Sequence, residues 1–303
     1  MVQHNTHFTQ YKVAQLLRAG RKRANLSQAF IASKLAITQG ALSKMEHGII
    51  TPSAPQWFEF CRATQISPDS LMTGYIESDS PDVYQSDALE TGYRLDSRFL
   101  KHRGLKVRLL LPLVKVLKKQ LGQEAFDMEC KKSGIDPDIF LDRDLLVNIL
   151  VFVELFQMSK EHNIQLQAIS QASSQSILQK AALNLPQTEE PFSSQLSAFV
   201  NSLKLLQGDF ELNYLSISPH HSKLIVRPLE HLKKVRKWKP EDMGDELCKL
   251  FQTVLTQFSQ TGAGVQLSIE HPECLYSSGK QCVYHLQVNQ IRQPLQLMRA
   301  AEG

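Results

Sequence analysis

Hydrophobic positions recur at helical spacing through the first 76 residues and switch to strict alternation after residue 208, so the pattern predicts a helical beginning and a mixed α/β remainder. Val13, Leu16 and Leu17 share one face of a first helix, from about Tyr11 to Arg23. Ser27 caps a second helix carrying Ile31 and Leu35, and Thr38 caps a third that turns Leu42 and Met45 inward and ends at Gly48. Ser53 with Gln56 three residues later is a capping box for a fourth helix, and Ser67 before Pro68 starts a fifth.

From Glu77 to about Ser97 the chain turns to Asp, Ser, Gly and Pro with few aliphatics, which reads as a linker. The expected division is therefore a first domain over 1–78, a linker over 79–97, a second domain over 98–290 and a tail over 291–303. Within the second domain the pattern predicts a basic amphipathic helix from Arg98 to Leu121, interrupted by Pro112, and a turn at Ser133 to Pro137. Further helices are expected at about Leu145 to Lys160, Ile164 to Leu185 and Ser193 to Leu206. Strands follow on either side of a turn at Pro219 to Ser222, then a helix over about Asp242 to Thr261, then two strands at Gly264 to Glu270 and Gln281 to Val288. The fold class is multidomain: an all-α five-helix region followed by an α/β domain with a small antiparallel sheet.

Composition changes this picture little. The 303 residues are 42% hydrophobic and 21% charged, ordinary globular usage that excludes disordered or fibrous classes. The longest nearly apolar run, Leu145 to Phe156, falls far short of a bilayer span, and the beginning of the chain has no apolar signal core, so a cytoplasmic protein with no membrane partner is expected. Five cysteines at scattered spacings point to reduced thiols rather than disulfides. The charge is more telling. Of the net +4, all resides before residue 79, where eight cations face four anions, and Arg18, Arg21, Lys22 and Arg23 are clustered. An excess confined to one small segment is the footprint of a DNA-binding module beside a neutral domain.

The second and third helices, Ser27 to Glu46, have helix-turn-helix spacing, with small Ala32 allowing close approach and Ile31, Leu35, Ile37 and Leu42 between them. Over about residues 11 to 75 the sequence resembles the Xre family of phage-repressor and Cro-like regulators, most specifically at Leu26-Ser27-Gln28, Ser43-Lys44-x-Glu46-x-Gly48 and Pro52. The resemblance implies a recognition helix in the major groove, with Thr38, Gln39 and Ser43 at base edges. Glutamine can pair bidentately with adenine, which makes Gln39 the expected reader; Gln28 and Lys44 are expected on phosphates, with Arg21, Lys22 and Arg23 adding salt-dependent affinity. It also implies that Glu46 ties the recognition helix to the bundle.

The second domain contains no phosphate loop, HExxH or GxSxG motif, and no catalytic residues are assigned, so no enzyme activity is expected. Cys130 to Asp138 with Leu141-Asp142-Arg143-Asp144 resembles the start of sensory domains found ahead of some AraC-type regulators. Glu270 to Tyr284 resembles the closing hairpin of the vinyl-reductase-type domain, a small-molecule-binding module related to the haem-nitric-oxide-binding fold. There two cysteines and a third on a preceding helix bind zinc, which carries over to Cys274, Cys282 and Cys248, with Glu230, His231 or His271 as fourth ligand; structural cysteines without metal are the alternative. Val151, Phe152, Leu155, Phe156 and Phe210 either line an effector cavity or form core.

The expected function is a one-component transcription regulator, binding a palindromic operator in double-stranded DNA as a homodimer under control of a small-molecule effector. The alternatives are a protein-interaction adaptor, or an enzyme domain tethered to a helix-turn-helix module.

Overall fold

The computed structural model describes residues 10–77, 92–165, 168, 192–206, 210–229, 246–261, 265–277 and 279–291. Its contacts divide the chain into two compact units, residues 1–111 with 123–151, and residues 112–122 with 152–303.

The first unit opens with five helices: α1 (Gln10–Arg23), α2 (Gln28–Lys34), α3 (Gln39–Glu46), α4 (Ala54–Thr64) and α5 (Ser70–Thr73). Their starts follow the expected caps. Ser27 Oγ accepts the Phe30 amide, Thr38 Oγ1 accepts the Ala41 amide, and the Ser53–Gln56 capping box is closed in both directions. The fifth helix begins later than Ser67-Pro68 suggests: Ser67 Oγ accepts the Asp69 amide in a turn, and the helix runs from Ser70. Leu16, Leu17, Ile31, Leu42 and Phe60 are fully buried and form the bundle core. At Gly20 a Cβ would lie 3.1 Å from the Phe60 ring, so glycine is what lets α1 and α4 close on each other.

The segment expected as one basic helix from Arg98 folds otherwise. A 3-10 turn at Ser97–Phe99 leads into strand β1 (Arg103–Lys106), a second 3-10 turn at Val107–Leu109, and then helix α6 (Leu111–Leu121). Pro112 sits at the start of that helix, where its missing N–H costs nothing. β1 pairs antiparallel with β2 (Leu146–Asn148), which removes the first residues of the helix expected from Leu145; helix α8 begins at Ile149 and ends at Glu161. Between them lie α7 (Gln123–Lys132) and a 3-10 turn, Pro137–Leu141.

The divisions expected at residues 78 and 98 do not coincide with the compact units. Residues 92–111 and 123–151 fall in one unit with the amino-terminal helices: one backbone bridge joins Ile76, just past α5, to Asp142, and another joins Leu95 to Ile135 within the later segments. Composition reports how polar a segment is, not which distant turn it pairs with.

The second unit contains α6, most of α8, helix α9 (Phe192–Leu206), strands β3 (Phe210–Ser218) and β4 (His221–Pro228), helix α10 (Glu246–Thr261), and strands β5 (Val265–Glu273) and β6 (Cys282–Ile291). The four strands form an antiparallel sheet in the order β3-β4-β6-β5. One core joins Leu196, Phe199 and Val200 of α9, Val254 and Leu255 of α10, and the inward strand residues Leu212, Leu224, Tyr284 and Leu286. Phe210 packs against this core, whereas Val151, Leu155 and Phe156 are buried and Phe152 stacks on Phe156. A helical beginning followed by α/β structure with small antiparallel sheets agrees with the sequence pattern. Most of the helix expected over Ile164 to Leu185, the basic run Lys233 to Lys239, Glu230, His231 and the tail beyond residue 291 lie outside the described residues.

Candidate nucleic-acid interface and thiol cluster

Short helices joined by a tight turn present the candidate reading face. The turn between α2 and α3 is closed by Ile37 donating to the Ala32 carbonyl at 3.0 Å, and Ala36 adopts a left-handed φ of 51°. Thr38 and Gln39 are exposed at the amino end of α3, Lys44 is exposed, and Ser43 is half-buried with its carbonyl accepting His47 Nδ1–H at 2.7 Å. Thr38 Oγ1 accepts the Ala41 amide at 3.1 Å, which fixes this exposed residue at the start of α3.

The other expected contacts have partners within the chain. Glu46, buried at the end of α3, accepts Arg21 Nε at 2.5 Å and Arg21 Nη2 at 2.9 Å, and Gln28 Nε2 at 2.9 Å. This is the fixing role expected of Glu46, and it takes up both Arg21 and Gln28. Lys22 Nζ lies 2.6 Å from Asp136, and Arg23 Nε 2.8 Å from Asp142. Arg18 adds a two-pronged contact to Asp138, at 2.8 and 3.2 Å. The cations expected as a free basic footprint therefore face carboxylates of their own unit. Sequence reading missed those carboxylates; the signal that could have found them is the run of acids Asp136, Asp138, Asp142 and Asp144, opposite in charge to the Arg18–Arg23 cluster.

In the second unit Cys248 on α10, His271 on β5, Cys274 just beyond β5 and Cys282 at the start of β6 converge, with one ligand atom of each within 4.8 Å of all the others. Cys248 Sγ lies 3.5 Å from Cys274 Sγ and 3.6 Å from Cys282 Sγ. The Leu275 amide donates to Cys282 Sγ, and the amides of Ser277 and Gly279 both donate to the Cys274 carbonyl, folding the loop. A Cβ at Gly279 would fall 2.5 Å from that carbonyl oxygen, so no larger residue fits there. The β5–β6 pairing is irregular between Glu270 and Glu273, the kind of bulge that re-aims a side chain, and His271 stacks on Tyr284 with centroids 4.4 Å apart.

The hydrogen bond from the Cys248 thiol pulls Cys282 down to about 6, despite burial, and the same bond, with burial, pushes Cys248 up. His271 Nε2 is buried with no hydrogen-bond partner among the described residues. An orphaned imidazole nitrogen beside three thiols, one disposed to ionise, fits a borderline-soft cation with tetrahedral preference. Of the three fourth ligands considered from sequence, His271 is the one in the cluster, while Glu230 and His231 lie outside the described residues.

Comparison with known proteins bears on the first unit. The family model described as helix-turn-helix matches residues 17–71. An uncharacterised HTH-type transcriptional regulator y4dL of Sinorhizobium fredii is 30% identical over 101 residues, which are 30% of this chain and 52% of the relative; the chain thus spans about half of that relative's length. Among solved structures, the chain is similar to an H-NOX protein of S. oneidensis in the Fe(II)NO ligation state, with a TM-score of 0.44 and 13% identity over 61% of this chain and all of that one. An unliganded Fe(II) H-NOX protein of K. algicida gives a TM-score of 0.41 and 8% identity over 61% and 97%. Likeness of that degree transfers neither fold nor ligand. No helix among the described residues is long and apolar enough to cross a membrane. The capped helices, the buried Glu46 and the family match agree on one statement: the amino-terminal part of this chain carries a helix-turn-helix domain of the Xre type.

Proposed function

We propose that the chain is a sequence-specific DNA-binding transcription regulator that acts as a homodimer on a palindromic operator. The observation that carries this reading is the exposed amino end of α3, capped by Thr38 and braced from behind by Glu46. Gln39, with no fixed intramolecular task in its exposed position, reads adenine; Thr38 and Ser43 border it, and Lys44 holds phosphate. Arg21, Gln28, Lys22 and Arg23 are assigned to holding the domain together, because each already has a close partner. Two-fold pairing doubles the contacts that a single small domain makes.

Competition titration of specific against random duplex tests the reading. Gln39→Ala should lose about 1–3 kcal/mol of discrimination. Lys44→Ala should weaken both duplexes alike and flatten the salt dependence by about one unit. Unchanged specificity in the first variant would remove Gln39 from the interface.

A second reading concerns the thiol cluster. Cys248, His271, Cys274 and Cys282 would hold one zinc ion, as the resemblance to vinyl-reductase-type domains implies, and the second unit would then serve as an effector-responsive dimerisation module. The ion would supply fold closure: it would link α10 to the β5–β6 hairpin through four protein ligands, the full coordination of a structural site. The Cys282 amide environment favours thiolate, His271 offers Nε2, and Tyr284 fixes the imidazole plane. Elemental analysis tests this, and a zinc content near zero in folded protein would end it.

A further inference from the structure

The outward face of α1 is basic where its inward face is apolar. Arg18 and Lys22 stand four residues apart on the side away from Leu16, Leu17 and the Phe60 contact, and Arg23 follows at the end of the helix. The three carboxylates they meet come from one turn, Asp136 to Asp142, more than 100 residues later and beyond the end of the helix-turn-helix match. These acids are more buried than their partners. The side chains of Asp138 and Asp142 are 1% and 3% exposed, against 36% for Arg18 and 8% for Arg23.

Around the pairs the same turn is held by further directional contacts. Tyr93 Oη donates to the Ala19 carbonyl, the Arg94 amide donates to Asp136, and the Ile76 amide donates to the Leu141 carbonyl. Arg143 pairs with Glu77 at 3.0 Å and lies over the Tyr75 ring at 4.2 Å. At Gly92, with φ +69°, a Cβ would fall 2.5 Å from the Lys22 carbonyl oxygen, so backbone approaches backbone at the end of α1. Tyr11 reaches Asp127 of α7 at the other end of the same face.

We propose that the acidic turn Asp136–Asp142 is a charge latch: it docks the helix-turn-helix bundle on the remainder of the first unit through the outward face of α1, and it can open without unfolding the bundle. The physical argument lies in the kind of contact. Buried ion pairs return little net stability once desolvation is counted, yet removing one partner is strongly unfavourable because it strands the other. A contact built this way is specific in geometry, weak in reserve and sensitive to a single charge. The bundle's apolar core, with Leu16, Leu17, Ile31, Leu42 and Phe60 fully buried, includes none of these charged residues.

Hydrogen exchange on the full chain tests the latch. In Asp136→Asn with Asp138→Asn, amides of 92–99 and 134–145 should exchange at least ten times faster, while 28–64 retains its protection. Unchanged exchange at 134–145 would overturn the proposal, and so would equal loss over 28–64, which would make the turn part of the bundle core. The charge-swapped pair, Arg18→Asp with Asp138→Arg, separates charge from packing: relative to Asp138→Asn it should restore protection, and failure to do so would also overturn the latch.

Discussion

The two units bury polar chemistry in opposite ways. In the first, cations meet carboxylates pair by pair: Arg18 with Asp138, Lys22 with Asp136, Arg23 with Asp142, Arg21 with Glu46. In the second, three sulfurs and an imidazole nitrogen converge on one another, with no carboxylate joining them among the described residues. Opposite charges complete themselves within the chain. Like donors are complementary to a cation, so the comparison teaches that the first unit is a self-sufficient scaffold and the second is built around a ligand-type cluster.

The largest test separates the units by metal. Chelation, or Cys282→Ser, should abolish the cooperative unfolding of the second unit and leave that of the first in place, since structural zinc contributes on the order of 10 kcal/mol in small domains. Simultaneous loss of both transitions, followed by calorimetry, would break the comparison. The converse variant is Phe60→Ala, which empties the bundle core and should cost about 3–5 kcal/mol in the first unit without altering metal content.

A smaller effect distinguishes the carboxylates themselves. Burial raises Asp142 to about 6, in spite of Arg23, so its neutral form is favoured on folding. Its contribution is therefore fully present below the unfolded value near 3.9 and is lost as pH rises through 6. Acidification from pH 7 to 4.5 should stabilise the native chain over Asp142→Asn by about 2 kcal/mol in denaturant titrations. Asp136 runs the other way: the hydrogen bond and charge of Lys22 outweigh its burial and lower it, so its contribution is lost only in stronger acid. The smallest effect is in the turn of the reading motif. Ala36 holds a left-handed φ of 51°, so Ala36→Gly should raise stability by about 0.5–1 kcal/mol with operator affinity unchanged.

Legibility followed the range of the interactions. Ser27, Thr38 and Ser53 act on amides three residues away, so their caps were readable as written. The strand alternation at Leu212, Tyr214, Leu224 and Val226 likewise survived into paired registers, Leu212 with Val226 and Tyr214 with Leu224. The segment from Arg98 failed because its helical periodicity was genuine only from Leu111; β1 is created by pairing with β2, over 40 residues later. Cys248, Cys274 and Cys282 were found by resemblance, whereas His271 was one of three options until the irregular β5 register brought it to the sulfurs.

The basic cluster shows the boundary between the two sources of information. Sequence by itself determined that the first 78 residues carry the whole charge excess and that five short helices include a helix-turn-helix. Tertiary structure decided what those charges do, because a cation's partner is set by which carboxylate arrives within a few ångströms, and Coulomb attraction carries no trace of sequence separation. For Arg18, Lys22 and Arg23 that partner is a turn more than 100 residues away, and the reading face is left to the residues at the exposed end of α3.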